Sequence, residues 1–411
     1  MTKLKKELGF MDITLATIGF VVGAGIYAII GLASKFGKNY TWLSVVICGF
    51  LSICTGMSYC ELTSIFKKNG GEYLFVKETM GEKAAKITGY FIVITETLVI
   101  SSIAFALGNH LSTFIPFNEV LLSIFSLLLF AYLNYKGIRD SVNYNNLSTL
   151  IEVLGLLFII FAGIKNIKLR DLDITKIKYN DVMPILMGSA LIYFAFFGFD
   201  IIIELTEETK EAEKTIPRAM IIGVIISTLL YIFVALSAVS SIGWKNLSKS
   251  KAPIVDVAKK LLNSNVSKII FIIAIISMSN TLLMGHVGSA RFIQSVSKQY
   301  NLPFNLEKID EKTQTPKNSI IFLTIATLLG MFLKNLENTT LVTNFATLII
   351  FFLVNLSNII LRIKKPEINR PFKVPLNIKN IPITSIIGGL SSIIFCYLII
   401  KNNMFNLVNK I

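Results

Sequence analysis

The sequence predicts an all-α protein that crosses a membrane many times. Of its 411 residues, 53% are hydrophobic and only 16% are charged, and the mean hydropathy is +0.67. A soluble protein of this length carries about 25% charged residues. The apolar runs are also longer and more numerous than a soluble core requires. We therefore expect one transmembrane domain over residues 1–411, embedded in a lipid bilayer.

The first apolar run, Ile13–Leu32, contains no charged residue. Its length is what ~30 Å of hydrocarbon requires of a helix. Its middle contains Gly23-Ala24-Gly25, and glycine gives up helical order easily. Backbone that leaves a helix inside the membrane normally lines a cavity, so one interpretation is a broken helix at a ligand site. The other is close helix packing, because Gly19 and Gly23 form a Gly-xxx-Gly pair.

Ten further apolar runs follow along the chain, and each predicts a transmembrane helix. The eleven predicted spans are Ile13–Leu32, Trp42–Tyr59, Ile87–Leu107, Val120–Tyr135, Leu147–Ile164, Val182–Ile203, Ala219–Ile242, Ile269–Ala290, Ile320–Leu333, Leu341–Leu361 and Ile381–Ile400. Two five-span units that face opposite ways would cover residues 12–165 and 182–362, with an extra span at about 381–400.

Basic residues in the loops indicate that the N-terminus is cytoplasmic. With that orientation the inner segments carry more than half of the Lys and Arg residues, as cytoplasmic loops generally do. The segment Met1–Lys6 is basic, but the apolar run after it is of full spanning length, which is typical of a signal-anchor. The C-terminus would then lie outside, and we expect the protein in the plasma or cell membrane.

The composition argues against several other classes. The net charge of +15 comes from lysines in loops, without the basic arm typical of a nucleic-acid partner. Cys48, Cys54 and Cys60 recur every six residues, which spreads them around a helix. His110 and His286 have no acidic or cysteine partner at ligand spacing. We expect no metal, no cofactor and no catalytic residue, and we predict that the protein is not an enzyme.

Three carboxylates fall inside apolar spans: Glu96, Glu152 and Asp200. Ionisable groups in a membrane are costly and are functional candidates by default. We therefore treat these three as candidates for proton coupling. The alternative for each is a hydrogen-bonded structural group that faces another helix.

A second glycine interrupts the sixth span, where Gly198 lies in an aromatic run two residues before Asp200. Paired glycine-interrupted segments at corresponding positions of two halves point to a transporter site. Several motifs, in this order, resemble those of amino acid permeases of the amino acid–polyamine–organocation superfamily. They are Val22-Gly23-Ala24-Gly25-Ile26-Tyr27, Tyr59-Cys60-Glu61-Leu62, Asn69-Gly70-Gly71-Glu72-Tyr73, Phe196-Phe197-Gly198-Phe199-Asp200 with Glu207-Glu208, Thr215-Ile216-Pro217-Arg218-Ala219, Gly288-Ser289-Ala290-Arg291 and Arg370-Pro371-Phe372-Lys373-Val374-Pro375.

The resemblance implies an inverted five-plus-five repeat of the leucine-transporter type, in which spans 1 and 6 unwind around the substrate. Amides at the start of a half-helix suit an α-carboxylate, and free carbonyls of the two breaks suit an α-ammonium group. Phenylalanines of span 6 would form the wall of the side-chain pocket. The implied substrate-binding residues are Val22, Gly23, Ala24, Gly25, Ile26, Phe194, Phe197, Gly198 and Phe199.

The chain also departs from the family pattern. Glu211-Ala212 replaces a common Asn-Pro, and Glu152 lies near the position of a lysine to which several branches assign a coupling role. Many members have twelve spans, whereas eleven are predicted here. A lysine-based mechanism therefore does not transfer to this chain.

The leading functional hypothesis is a secondary-active amino acid transporter that works by alternating access, as a proton-coupled symporter or an exchanger. A polyamine or organic-cation carrier is the first alternative, because the membrane-embedded acids have no basic counterpart inside the spans. A non-transporting membrane sensor of the same fold is the second. The sequence does not indicate the oligomeric state.

Overall fold

The structure is a computed structural model that describes residues 6, 8–66, 70–136, 141–167, 172–262, 264–300, 302–310, 313, 315–331 and 336–408. These residues are mostly α-helical, with several 3₁₀ segments, connecting loops and one short hairpin of β1 (Asn377–Ile378) and β2 (Ile381–Pro382). Four predicted features lie outside the described part: residues 1–5 of the basic N-terminal segment, Asn69 of the Asn-Gly-Gly-Glu-Tyr motif, the end of the ninth span at 332–333, and the side chains of Glu207 and Glu208.

The α-helices of the described residues are α1 (Phe10–Val21), α2 (Ala24–Gly37), α3 (Thr41–Phe66), α4 (Gly71–Met80), α5 (Glu82–Ser112), α6 (Glu119–Lys136), α7 (Ser141–Gly163), α8 (Tyr179–Ile192), α9 (Ala212–Ile242), α10 (Trp244–Leu247), α11 (Pro253–Leu261), α12 (Ser264–Tyr300), α13 (Lys317–Gly330), α14 (Leu336–Lys364) and α15 (Ile383–Val408). Helices α1 and α2 together form span 1, and α3, α5, α6 and α7 form spans 2 to 5. Helix α8 and the 3₁₀ segments after it form span 6, α9 forms span 7, and α12 to α15 form spans 8 to 11.

Each predicted span corresponds to a helix or to a pair of half-helices. Nine segments of the described residues are long and apolar enough to cross a membrane. The first of them, Phe10–Phe66, contains 57 residues and holds both span 1 and span 2, because the chain turns at Lys38, where φ is +49°. Span 9 is the shorter apolar helix α13. The predicted all-α polytopic fold is therefore confirmed.

The sequence analysis missed three helices and shortened others. Helix α4 lies between spans 2 and 3, and α10 and α11 lie in a segment interpreted as a loop. Span 8 was predicted as Ile269–Ala290, whereas α12 contains 37 residues. The difference arises because hydropathy registers only the part of a helix that lies in hydrocarbon, while its polar ends continue beyond it.

The contacts between helices repeat after five spans. Span 1 packs against span 7 as span 6 packs against span 2, and span 3 packs against span 10 as span 8 packs against span 5. Spans 3 and 4 contact each other as spans 8 and 9 do. Since five crossings are an odd number, the second unit begins at the opposite face from the first. The repeat limits 12–165 and 182–362 stay predictions.

The broken spans occupy the centre of the bundle. In the most apolar window of Tyr179–Ile203, 83% of the residues are buried, against 28% for Glu119–Lys136 of span 4. Outer helices expose large apolar side chains such as Phe125 and Phe161, which face hydrocarbon in a membrane. The lipid bilayer predicted as the surroundings of this chain fits that exposed surface.

One face of the bundle is marked by contacts between distant parts of the chain. Leu8 forms an isolated parallel β-bridge with Thr209. The hydroxyl of Ser64, at the end of span 2, accepts a hydrogen bond from the amide of Phe372 in the loop after span 10. The start of span 1 and the ends of spans 2, 6 and 10 therefore lie together, at what we call the N-terminal face.

Candidate substrate site

The first span is interrupted where the glycines predict it. Helix α1 ends at Val21 and α2 begins at Ala24. Between them, Val22 has φ −78° and ψ 59° and Gly23 has φ −112° and ψ −142°, both outside the helical region. The Ala24 amide donates to Oγ1 of Thr281 in span 8 at 3.2 Å. A hydroxyl of another helix thus satisfies a backbone group that the break releases.

The Gly-xxx-Gly pair combines close helix packing with the interruption of the helix. A Cβ added to Gly19 would lie 2.0 Å from Oγ1 of Thr149 in span 5, and one added to Gly23 would lie 2.1 Å from Oγ1 of Thr281 in span 8. The pair therefore permits close packing on two neighbours, and its second member also lies in the break.

The sixth span breaks at Gly198. After α8 the chain forms a 3₁₀ turn over Tyr193–Phe196, becomes extended at Phe197 and reaches φ +107° at Gly198. A side chain is strained at that angle, and a Cβ there would lie 2.8 Å from the carbonyl oxygen of Phe20. The Gly198 amide donates to Oδ1 of Asp200 at 3.0 Å. Asp200 therefore has a structural role in the break as well.

The two breaks lie against each other. A Cβ on Gly25 would be 2.4 Å from Cα of Ala195, so the backbones of the half-helices touch there. Tyr231 of span 7 lies beside both breaks, with its hydroxyl 2.5 Å from the carbonyl of Val21 and 3.1 Å from that of Ala195. Because a phenol carries one proton, it donates to one of these carbonyls at a time.

A cavity opens between the breaks and spans 3, 8 and 10. Its volume is about 780 Å³, counted as atom-free space that includes its mouth. Its lining consists of Phe20, Val21, Gly23, Ala24, Gly25, Glu72, Ile92, Thr95, Glu96, Val99, Ile103, Phe194, Phe197, Gly198, Asp200, Ile201, Thr281, Gly285, Thr347 and Ile350.

The cavity contains some of the predicted site residues and excludes others. The predicted residues that line it are Gly23, Ala24, Gly25, Phe194, Phe197, Gly198, Glu96 and Asp200. Val22, Ile26 and Phe199 lie outside the lining and are fully buried. Phe199 packs instead against Tyr59 and Phe351, with ring centroids 5.9 and 5.4 Å apart.

The backbone groups of the breaks are less open than the sequence suggested. The amide of Gly23 donates to the carbonyl of Val21 at 2.8 Å, and the amide of Ala24 is held by Thr281. Of the four amides expected to be free at this break, those of Gly23, Ala24, Gly25 and Ile26, the first two are thus already satisfied. Among the described residues, no hydrogen bond reaches the amides of Gly25 or Ile26, the second and third positions of α2, which have no acceptor within their own helix. Only Gly25 also lines the cavity.

The charged lining residues gather at one end of the cavity. Glu72, Glu96 and Asp200 also line a second cavity of about 390 Å³, so they mark the junction between the two. Tyr59 donates to Glu72 at 3.0 Å, and Ser289 donates to Glu96. No Lys, Arg or His is among the described residues that line either cavity.

Sequence reasoning missed Glu72 as a site residue. It lies in α4, after Gly70 at φ +123°, and so returns from outside the predicted spans to the cavity. The Gly-Gly-Glu-Tyr motif was the available signal. Outside the junction no charged residue of the described part lines the cavity. The hydroxyl of Thr347 has no hydrogen-bond partner among the described residues, although its side chain is buried.

Glu152 lies apart from the cavity, behind the first break. It is completely buried in span 5, and within the described part of the chain neither carboxyl oxygen has a hydrogen bond of normal geometry. Ser277 and Asn280 of span 8 lie beside it, and the Ser277 hydroxyl is 3.5 Å from the carbonyl of Val22. The buried hydroxyl of Tyr27 is close by, and it too has no hydrogen-bond partner among the residues that the structure describes.

Metal chemistry finds no support in the described part of the chain. No three His, Cys, Asp or Glu side chains are grouped there so that they could hold an ion. The nitrogens of His286 contact Asn134 and Thr324, which links spans 4, 8 and 9. The His110 ring stacks on Phe271 at 4.8 Å between centroids. Both histidines therefore have packing roles.

Comparison with known proteins agrees with this architecture. The family model of amino acid permeases matches residues 8–410. The branched-chain amino acid permease BcaP of Bacillus subtilis is 28% identical, over 97% of this chain and 88% of its own. The methylthioribose transporter of the same bacterium is 25% identical, over 96% and 88%. The human large neutral amino acids transporter small subunit 2 is 27% identical, over 91% and 73%.

These relatives are transporters, and none of the three is named as an enzyme. The match covers nearly the whole chain, including both helix breaks and the motifs that carry the resemblance. The protein is an integral, multi-pass membrane protein and belongs to the amino acid permease family.

Proposed function

We propose that this chain is a secondary-active transporter of neutral α-amino acids with apolar side chains, working by alternating access. The observation that carries the proposal is the division of the cavity. The helix breaks and apolar side chains line one part, and every charged lining residue lies at the junction with the second cavity. A zwitterionic head group and an uncharged side chain fit the first part.

The head group would bind at the breaks. The amide of Gly25 lies at the positive end of the α2 dipole and suits a carboxylate. The hydroxyl of Thr347 is a further polar group at the cavity that lacks a partner. The Tyr231 hydroxyl donates to the carbonyl of Val21 or to that of Ala195. When it donates to Ala195, the Val21 carbonyl, which lines the cavity and accepts from the Gly23 amide, has a second lone pair for an ammonium group.

The side chain would lie among apolar groups of spans 3, 6 and 10. Val99 and Ile103, Phe194 and Phe197, and Ile350 line this part of the cavity. Aliphatic and aromatic surfaces of this kind favour a branched or aromatic side chain. The names of two relatives, a branched-chain amino acid permease and a large neutral amino acids transporter, support the same class.

The driving ion would be the proton. Glu96 and Asp200 line the junction between the two cavities. Glu152 lies beside Ser277, whose hydroxyl is 3.5 Å from the Val22 carbonyl in the first break. A buried carboxyl binds a proton readily because the membrane interior disfavours its charge. The proposal includes two modes of transport, proton symport and exchange. It also includes a cytoplasmic N-terminus and a location in the cell membrane.

A carrier of polyamines or other organic cations is the second candidate function. The observation that favours it is the presence of three carboxylates and no basic side chain in the described lining of the two cavities. Such a substrate would bind at the junction instead of at the breaks. A membrane sensor of the same fold, which transports no substrate, would bind the compound without taking it up.

Uptake by the purified protein in liposomes tests these candidates. The substrates are leucine, phenylalanine, alanine, lysine, glutamate and spermidine, each with and without an inward proton gradient. We expect leucine or phenylalanine to accumulate and the gradient to increase the rate. Uptake of spermidine alone would contradict the proposal, and binding without uptake of any compound would identify a sensor.

A variant at Gly285 tests where the side chain lies. Gly285 lines the cavity and has open space where a Cβ would be, so Gly285→Ala fills part of the pocket without a clash. We expect weaker binding of phenylalanine, by several-fold, and unchanged binding of alanine. Gly389→Ala in span 11, where the Cβ makes ordinary contact at 3.7 Å, is the control. Equal effects on the binding of phenylalanine and alanine would mean that the substrate side chain does not lie beside Gly285.

A further inference from the structure

The loop after span 10 returns to the membrane through the short hairpin of β1 and β2. Ile378 and Ile381 pair across this hairpin, which leaves Lys379 and Asn380 as its two-residue turn. Both turn residues have positive φ, +46° and +71°, as the type I′ turns of tight hairpins require. Span 11 begins directly afterwards, at Ile383. The hairpin therefore lies where the apolar part of the chain begins, at the edge of the bilayer.

Buried polar groups hold this loop in place. The amide of Val374 donates to Glu61 of span 2 at 2.8 Å, and Glu61 is also bound by Arg362 of span 10. Nη1 of Arg362 donates to Oδ1 of Asn380, and Nδ2 of Asn380 donates to the Arg362 carbonyl, both at 3.2 Å. Breaking the contacts of a buried ion pair is strongly unfavourable. Both ends of segment 374–380 are thus fixed to the helix bundle.

The fixed loop exposes two large apolar side chains. Leu376 is 69% exposed and Ile378 is 64% exposed. Leu376 also has φ +60°, an uncommon angle for a bulky residue, and its carbonyl accepts from the amide of Ile383 at 3.0 Å. Such conformations persist where the surrounding structure imposes them, and they are frequent at binding sites. Water is an unfavourable surrounding for both side chains, whereas the apolar edge of a bilayer is a favourable one.

The same loop is basic. Lys373 and Lys379 are exposed, and neither forms an ion pair with a residue of the described part. Along the chain the nearest acidic residue is Glu367, and the sequence contains no Asp or Glu after it. Lysines at a membrane surface attract anionic lipids. Apolar side chains next to lysines at the edge of a bilayer are typical of segments that bind such lipids.

We propose that residues 373–382 form a binding site for an anionic phospholipid at the N-terminal face. Leu376 and Ile378 enter the apolar edge of the bilayer, and the ammonium groups of Lys373 and Lys379 bind the phosphate of the headgroup. The buried contacts with spans 2 and 10 hold the loop at the depth where both interactions are made. The inference does not depend on transport, and it gives a role to the Arg-Pro-Phe-Lys-Val-Pro motif, which the substrate cavity does not use.

Quenching of tryptophan fluorescence by brominated lipid tests this contact. The reporter is Ile378→Trp, in a background where both native tryptophans, Trp42 and Trp244, are replaced by phenylalanine. The full chain is placed in phosphatidylcholine vesicles that contain a small fraction of lipid with brominated chains, either phosphatidylglycerol or phosphatidylcholine. We expect brominated phosphatidylglycerol to quench at an about tenfold lower mole fraction, because each lysine near an anionic surface contributes about fivefold.

Quenching by neither lipid would show that the hairpin does not reach the bilayer, and equal quenching by both would show that the headgroup is not selected. Either result would overturn the proposal. The control reporter is Phe125→Trp on the exposed side of span 4, which should be quenched equally by both lipids. Leucine uptake by the same vesicles is measured separately, so a failure of lipid binding is distinguished from a failure of transport.

Lys373→Gln combined with Lys379→Gln removes the two charges and keeps the apolar side chains. We expect the preference for phosphatidylglycerol to fall to about twofold or less, while a high fraction of either brominated lipid still quenches. Lys249→Gln combined with Lys268→Gln is the matched control. It removes the same charge from exposed positions between spans 7 and 8 and should keep the preference. An unchanged preference in the first pair, or an equal loss in the second, would contradict the site.

Asn380→Gly tests whether the buried contacts position the loop. Glycine accepts the positive φ of the turn, and the substitution removes both side-chain contacts with Arg362. Because both lysines are retained, a purely electrostatic attraction would be unchanged. We expect the preference for phosphatidylglycerol to fall several-fold. A preference equal to that of the parent reporter would contradict the positioning role of these contacts.

Discussion

Two glutamates of this protein are completely buried in apolar helices and have opposite surroundings. Glu61 in span 2 accepts hydrogen bonds from two arginines and one backbone amide. Glu152 in span 5 accepts none of normal geometry among the described residues. The first is therefore a fixed charge that joins helices. The second has no counter-charge of this kind, and a membrane interior disfavours an isolated charge, which is the reason for proposing Glu152 as a proton-coupling residue.

The largest expected effect comes from removing the charge of Glu61. Glu61→Gln leaves Arg362, which is 1% exposed, without a counter-charge. Breaking a buried pair in this way costs about 3–5 kcal/mol of the free energy of unfolding. We expect a much lower thermal unfolding midpoint in detergent and a poor yield. An unchanged midpoint would show that the two buried glutamates are equivalent.

The hydroxyl of Tyr231 lies near Glu152, and its removal should have an effect of intermediate size. Tyr231→Phe takes away the donor shared by Val21 and Ala195 and leaves buried carbonyls less satisfied, at a cost of about 1–3 kcal/mol. We expect a lower unfolding midpoint and a lower uptake rate, because both breaks lose an anchor. Tyr397→Phe, at a lipid-exposed ring, is the control and should leave both unchanged.

Glu152→Gln should change coupling and leave stability almost unchanged. The amide has the shape of the protonated acid and breaks no ion pair, so we expect an unfolding midpoint close to that of the parent. Substrate binding should persist, and uptake should lose its dependence on the proton gradient. Both properties are measured in the same liposomes. Retained proton dependence would remove Glu152 from the mechanism and leave Glu96 and Asp200 as candidates.

The smallest effect is expected at a surface pair. Lys251 and Glu119 are 2.6 Å apart, with 58% and 39% of their side chains exposed. Lys251→Ala should change the free energy of unfolding by about 0–1 kcal/mol because solvent screens the pair. Uptake should equal that of the parent. A loss as large as that of Glu61→Gln would mean that burial does not explain the contrast between the glutamates.

The sequence predicted the spans and both breaks well, since each depends on local composition. Gly23 and Gly198 were recognised because glycine is visible in an apolar run, and the structure places both at interruptions. The prediction from sequence was wrong about which backbone amides of the first break are free, because the amide of Ala24 donates to a hydroxyl 257 residues away. Nor could it tell that Phe199 points toward Tyr59 while Phe197 lines the cavity.

Hydropathy, glycine position and family motifs therefore determined the class of protein, its helices and the location of its breaks. Each of these depends on how a short segment meets hydrocarbon, which the segment itself encodes. Only the tertiary structure decided the polar partners. It set Glu72 in the cavity, left Glu152 behind it and joined Glu61 to Arg362 across 301 residues of chain. Whether a buried carboxyl is a fixed charge or a proton carrier depends on those partners, and helix packing supplies them.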